Sequence, residues 1–165
     1  MNAFTLSGWD NFFMASSGAA AALAGLLFVA LSINLSRILA IPGLPARAGE
    51  TFVPLAVVLI ISLLGLVPGQ GIRFLAFELL GLGGSAWIVA SFLELRAVRS
   101  HHFKEPIHVV VRIGINQPAT LSVPIAGLSV LIGFPGGLYW LIPAICFSFA
   151  GAMFNAWVLL VEILR

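Results

Sequence analysis

Apolar residues in this chain come in long unbroken runs, separated by short polar or proline- and glycine-rich breaks. Residues 11–36 carry no charge, and about 20 helical residues cross the hydrocarbon core of a bilayer. The first run therefore predicts a membrane helix over 12–39. Ser7 and Asp10 form an S-x-x-D start signal, Trp9 is placed for the aromatic belt, and Arg37 and Pro42-Gly43-Leu44-Pro45 stop the run. A second span, 46–66, ends at Pro68-Gly69-Gln70-Gly71, and a third, 72–95, carries Glu78 inside it. The polar stretch after it holds Arg96, Arg99, His101, His102, Lys104, Glu105, Pro106 and His108, with Pro106 expected to break any helix. Residues 113–161 are again uncharged, too many for one crossing. Divided at Gly133-Phe134-Pro135-Gly136-Gly137, they predict a fourth span over 109–132 and a fifth over 138–164. Tyr139 and Trp140 are placed as an interfacial anchor. Asn116, Gln117, Pro118 and Pro124 interrupt the fourth span, so a kink or a partly re-entrant path is expected there.

Composition leaves one class standing. The chain has 165 residues, 61% hydrophobic and 8% charged, with mean hydropathy +1.12. Soluble domains run about 45–50% apolar and about 25% charged, and a chain this short leaves much of its surface uncovered. A soluble enzyme, a disordered chain and a nucleic-acid module are excluded. The expected fold class is all-α, an integral membrane helical bundle forming a single domain over 1–165, with the lipid bilayer as its first partner.

Charge then orients the bundle. With five crossings, Arg37, Arg47, Arg96, Arg99, Lys104, Arg112 and Arg165 fall on one side and Arg73 on the other. The positive-inside rule places the N-terminus outside and the C-terminus in the cytoplasm. The first ten residues carry no Lys or Arg, so a cleaved signal peptide is not expected.

Ionisable side chains inside a span cost about 2.5–3.5 kcal/mol each on insertion scales and need partners or water. Here they gather at the cytoplasmic ends of the predicted helices: Asn34 and Arg37, Arg47 and Glu50, Glu94, Arg112 and Asn116, Asn155 and Glu162. Spacings of three, four or seven put each pair on one helix face. Three Arg against three Glu make the set neutral, so an interlocking polar cluster is expected, serving helix register or else a docking surface or ion path. Replacing Glu50 or Glu162 with Gln is expected to leave an Arg unpaired and lower stability in detergent.

Catalytic and cofactor chemistry is not expected. His101, His102, Glu105 and His108 have metal-like spacing but lie in the predicted loop, and H-E-x-x-H is absent. No P-loop, dinucleotide fingerprint or G-x-S-x-G elbow appears. Asp10 is the only Asp, so no intramembrane Asp pair exists. The lone Cys146 sits in an apolar run and reads as a small hydrophobe. Small residues that let membrane helices approach closely recur instead: Ser17, Gly18, Ala21, Ala22 and Gly25; Gly81 and Ser85; Ser148, Gly151 and Ala152. They serve contact within the bundle or an oligomer interface.

Several stretches resemble a known family. They are residues 19–35, Leu44-Pro45-Ala46-Arg47-Ala48-Gly49-Glu50, Leu66-Val67-Pro68-Gly69-Gln70, Gly136-Gly137-Leu138-Tyr139-Trp140 and residues 155–165. Together they resemble small bacterial multi-span inner-membrane proteins, mostly uncharacterised and often labelled "modulator of FtsH protease". That resemblance implies a multi-pass protein of the bacterial inner membrane and suggests a membrane protease as the class of partner. It supplies no catalytic or binding residues. The leading expectation is a non-enzymatic helper that binds another membrane protein. The alternatives are a homo-oligomeric ion or solute channel or transport element and a lipid-binding bundle.

Overall fold

A computed structural model describes residues 3–40, 44–99 and 106–164, with side chains for 3–36, 38–40, 49, 51–92, 94–95 and 113–157. Helix α1 spans Asp10–Ile33, α2 Leu35–Ala40, α3 Leu44–Gly65, α4 Ile72–Arg99, α5 Pro106–Ile132 and α6 Leu141–Leu164, with a short 3-10 turn at Gly137–Trp140 before α6. Among the described residues there is no strand.

Four stretches are long and apolar enough to cross a membrane: Asp10–Ile33, Ile72–Phe92, Ile113–Ile132 and Gly137–Trp157. A fifth, Thr51–Gly65, is apolar but shorter. It belongs to α3, which occupies the middle of the bundle and packs against α1, α4 and α6. Leu55, Val58 and Ile61 of α3 are fully buried. The outward surface is apolar too: Leu26, Phe28 and Ile33 on α1 and Phe74, Phe77 and Ile88 on α4 are exposed. In water such a belt would drive aggregation; in a bilayer it meets lipid tails. The chain is a membrane-embedded helical bundle.

Neighbouring helices run antiparallel, and glycines set how closely they approach. A Cβ on Gly127 of α5 would sit 2.6 Å from the Ala76 carbonyl of α4, and one on Gly83 of α4 2.5 Å from Val123 of α5. These two contacts allow the α4–α5 pair to pack backbone to backbone, which is how membrane helices gain dispersion energy where lipid competes equally for apolar surface. The small residues of α6 also face inward, with Ser148, Gly151 and Ala152 buried. Those of α1 do not. Gly18, Ala21, Ala22 and Gly25 face outward, and a Cβ on Gly18 or Gly25 would meet nothing within 4 Å. Gly81 and Ser85 of α4 are outward as well.

Four sequence expectations change. The first span is not one helix to residue 39: it breaks at Asn34, whose side-chain amide donates to the Ala30 carbonyl at 3.0 Å. That bond competes for the carbonyl that Asn34's own N–H would use, and the chain restarts as α2. Second, the S-x-x-D signal is not used as a cap, since α1 starts behind Trp9 without a side-chain cap bond. Third, Trp9 is only 1% exposed and lies in the core rather than in an aromatic belt. Fourth, the helix of the fourth span starts before 109, at Pro106, where a proline in the first helical turn lacks only an N–H that has no partner. His108 is therefore on a helix. Helix α5 then runs continuously through Pro118 and Pro124.

Candidate functional site

At the end of the bundle away from Trp9, α4 carries Trp87, Ser91 and Glu94 at spacings of four and three, one stripe of a helix. Gln117 of α5 lies against all three. Its amide nitrogen donates to Glu94 Oε2 at 2.8 Å and to Ser91 Oγ at 3.3 Å, and its carbonyl oxygen accepts from Trp87 Nε1 at 2.8 Å. One amide thus uses both donors and an acceptor across the helix interface. Glu94 is 7% exposed, and its Oε1 is buried with no hydrogen-bond partner.

Beside this network lies a small cavity. Its walls are Val53 and Pro54 of α3, Val89, Ala90 and Glu94 of α4, and Asn116 and Thr120 of α5. Its volume is about 10 Å³, which is room for about one water. The Thr120 hydroxyl donates to the Asn116 carbonyl at 2.9 Å. A second crevice, too tight for a water, runs from Pro54 and Asn116 to Thr51, Ser148 and Asn155. Pro54 and Asn116 belong to both, so Asn116 stands between Glu94 and Asn155.

The expected inner polar cluster can now be placed residue by residue. Glu94, Asn116 and Asn155 line these two neighbouring hollows, Glu94 the first, Asn155 the second and Asn116 both. Asn34 bonds its own helix at the α1–α2 break. The side chains of Arg37, Arg47, Glu50, Arg112 and Glu162 lie outside the described residues, as do His101, His102, Lys104 and Glu105. Gln117 stood out in the sequence only as an interruption of an apolar run; its role as the amide holding Glu94 was not read there. The signal was the i, i+4, i+7 stripe of Trp87, Ser91 and Glu94, which marks a polar face requiring a partner on the neighbouring helix. Glu78 sits at the other end, where it accepts from the Gln70 amide. Among the described residues no three His, Cys, Asp or Glu come together as metal ligands.

The opposite end is closed. Trp9 packs edge-on against Phe12 and Tyr139, with ring centroids 5.4 and 5.2 Å apart. Helix α5 ends at Gly133 with φ +72°, and the Phe134 N–H returns to the Ser129 carbonyl at 3.0 Å, a Schellman closure. Ser129 Oγ then donates to the Phe134 carbonyl at 2.6 Å and accepts from the Gly137 N–H at 2.8 Å. The Leu138 N–H reaches across to the Ala3 carbonyl at 2.9 Å, tying the N-terminal segment to the α5–α6 turn. Gly137 has φ +49°, and a Cβ there would strike that same Ala3 carbonyl.

The chain matches no protein-family model, no curated protein and no solved structure.

Proposed function

We propose that this protein is a non-enzymatic membrane helper that binds another membrane protein through the outward face of α1. The observation that carries this reading is that face: Gly18, Ala21, Ala22 and Gly25 lie on one side of a membrane-length helix, exposed and with open space over both glycines. In a bilayer, helices associate where small residues let backbones approach, so the fitting partner is a transmembrane helix with a matching small-residue face. The family-like stretches named above suggest a membrane protease or its substrate as the class of protein that carries it, and a bacterial inner membrane as the location.

In this reading the chain crosses the bilayer five times, with the N-terminus outside and the C-terminus in the cytoplasm. Two things support five crossings: α3 is central to the bundle, and its 22 residues reach roughly 33 Å at 1.5 Å per residue. Reporter fusions that put both ends in one compartment would overturn the topology.

A photo-crosslinking residue at position 18 or 25, activated in native membranes, tests the function. A stoichiometric heterologous membrane protein is expected. Adducts only to a second copy of this chain would replace the reading with the homo-oligomeric one. That alternative draws on the proline-interrupted α3 and α5 and the cavity between them, and predicts ion or solute flux in reconstituted liposomes.

A further inference from the structure

The geometry points to a site for one anionic phospholipid, with an acyl chain in the cleft between α3, α4 and α5 and the phosphate at the basic ends of the same helices. The cleft is walled by Val53 and Pro54, by Val89 and Ala90, and by Asn116 and Thr120, and its surface is almost wholly carbon. Glu94 does not change that. Its Oε2 is bonded to Gln117 and its Oε1 is buried, so the carboxylate is turned into the α4–α5 seam. Among the described residues α4 lies close on α5, whereas α3 touches α4 less and α5 hardly at all. The cleft is therefore open along one side. Val89 of its wall is exposed there, as are Phe52 and Phe92 on the same helices. For a membrane-embedded bundle, the medium on that side is lipid.

Size and charge name the occupant. Counted out to its open side, the cleft holds about 320 Å³ of empty space. One turn of helix, about 5.4 Å long and about 10–12 Å across, needs more than that. Neither a partner's helix nor a second copy of this chain fits inside, whereas a single hydrocarbon chain does. Its contact with a carbon wall strips no polar group of a partner. Arg47 lies in the first turn of α3, Arg96 and Arg99 in the last turn of α4, and Arg112 in the second turn of α5. The acidic residues near those ends are Glu50 and Glu94, so positive charge is in excess. Arg47 precedes Pro54 by seven residues and Arg112 precedes Asn116 by four, which keeps each pair on one helix face. The separations are roughly 10 and 6 Å along the axis, close to the depth of a headgroup layer above the hydrocarbon, about 5–8 Å. Basic helix ends beside a cleft between membrane helices are a pattern that holds anionic headgroups. This proposal stands independently of the partner assigned to α1.

The test uses the full-length protein in detergent micelles, titrated with dioleoyl phosphatidylglycerol or, as the neutral control, dioleoyl phosphatidylcholine. Bound lipid is counted by native mass spectrometry. One phosphatidylglycerol per chain should be held at a saturable site, about tenfold or more tighter than phosphatidylcholine. Ala90→Leu fills the cleft from α4 and should weaken both lipids by about fivefold or more. Val53→Phe fills it from α3 and decides the matter if Ala90→Leu does not fold. Arg47→Gln combined with Arg112→Gln should remove the preference for the anionic lipid. Raising sodium chloride to about 1 M should do the same in the unaltered protein, where charges are screened within about 3 Å. In reconstituted vesicles, phosphatidylglycerol with a diazirine midway along one chain should label Val53, Val89 or Ala90. Label spread evenly over the outward faces, or lipid uptake without a saturable first site, would overturn the proposal and leave lipid as solvent only. So would equal affinity for the two lipids, or unchanged binding in the cleft-filling variants. A benzophenone side chain at position 89 that joins two copies of the chain, or a second protein, would give the cleft to a helix instead.

Discussion

The two ends of the bundle solve the same problem in opposite ways. At the Trp9 end, every turn is locked. Aromatic rings fill the space between helices, Ser129 bonds both sides of the α5–α6 turn, and the N-terminal segment is tied to Leu138. At the Glu94 end, among the described residues, one amide, Gln117, bridges α4 and α5, and prolines interrupt the backbone hydrogen bonding of both α3 and α5. A cavity persists there, with a carboxylate oxygen left over. The difference teaches where rigidity and polarity belong in a small membrane bundle. A dry, closed end sets the register of all the helices, and that register holds a partly satisfied polar site open at the other end.

Breaking the closed end should have the largest effect. Trp9→Ala removes a fully buried ring that touches Phe12, Phe13 and Tyr139. A loss of about 3–5 kcal/mol is expected, within the range for a large aromatic in a core. Thermal unfolding in detergent would check it, and an unchanged midpoint would dissolve the contrast between the ends.

Next comes the open end. Gln117→Leu leaves the Trp87 N–H and Glu94 Oε2 without their bonds across the helix pair. About 1–3 kcal/mol should be lost. In the double variant with Glu94→Leu, part of that loss should return, since the costly group is the orphaned carboxylate. Strict additivity in the cycle would mean that the two side chains do not interact.

Gly127→Ala probes the seam joining the ends. Its Cβ would lie 2.6 Å from a backbone carbonyl, so α4 and α5 must separate, costing about 1–3 kcal/mol. A change in Trp87 emission should accompany it, because the Gln117 network spans the same interface.

A smaller effect is expected for Ser129→Ala, which strips the turn of the hydroxyl's bonds to Phe134, Pro135 and Gly137 but leaves its backbone closure. About 1 kcal/mol should be lost. The smallest belongs to Gly18→Ala on the outward face of α1, where the new methyl meets nothing within 4 Å. Monomer stability should change by less than about 0.5 kcal/mol, while crosslinking to a partner through that face should fall.

Much of the architecture was legible in the sequence. The uncharged runs located the helices, and Gly133-Phe134-Pro135-Gly136-Gly137 located the turn between α5 and α6, since positive φ at Gly133, Gly136 and Gly137 is costly for other residues. The sequence was less informative where a local signal has two physical outcomes. Trp9 fits an aromatic belt or a core plug, and only the position of Tyr139 chooses. Asn34 fits a polar cluster or a helix break, and the bond to the Ala30 carbonyl chooses the break. Small residues read alike on α1 and α6, yet α6 turns them inward and α1 outward, because helical rotation about its axis is set by what packs against the opposite face.

By itself, then, the sequence determined that this protein lives in lipid as a helical bundle. That follows from the length of its uncharged runs and from the cost of an unsatisfied backbone in hydrocarbon. The tertiary structure alone decided which polar side chains meet. Gln117 reaches Glu94 only because Gly83 and Gly127 let α4 and α5 approach in that register, and a contact 23 residues apart in the chain depends on packing that no local pattern encodes.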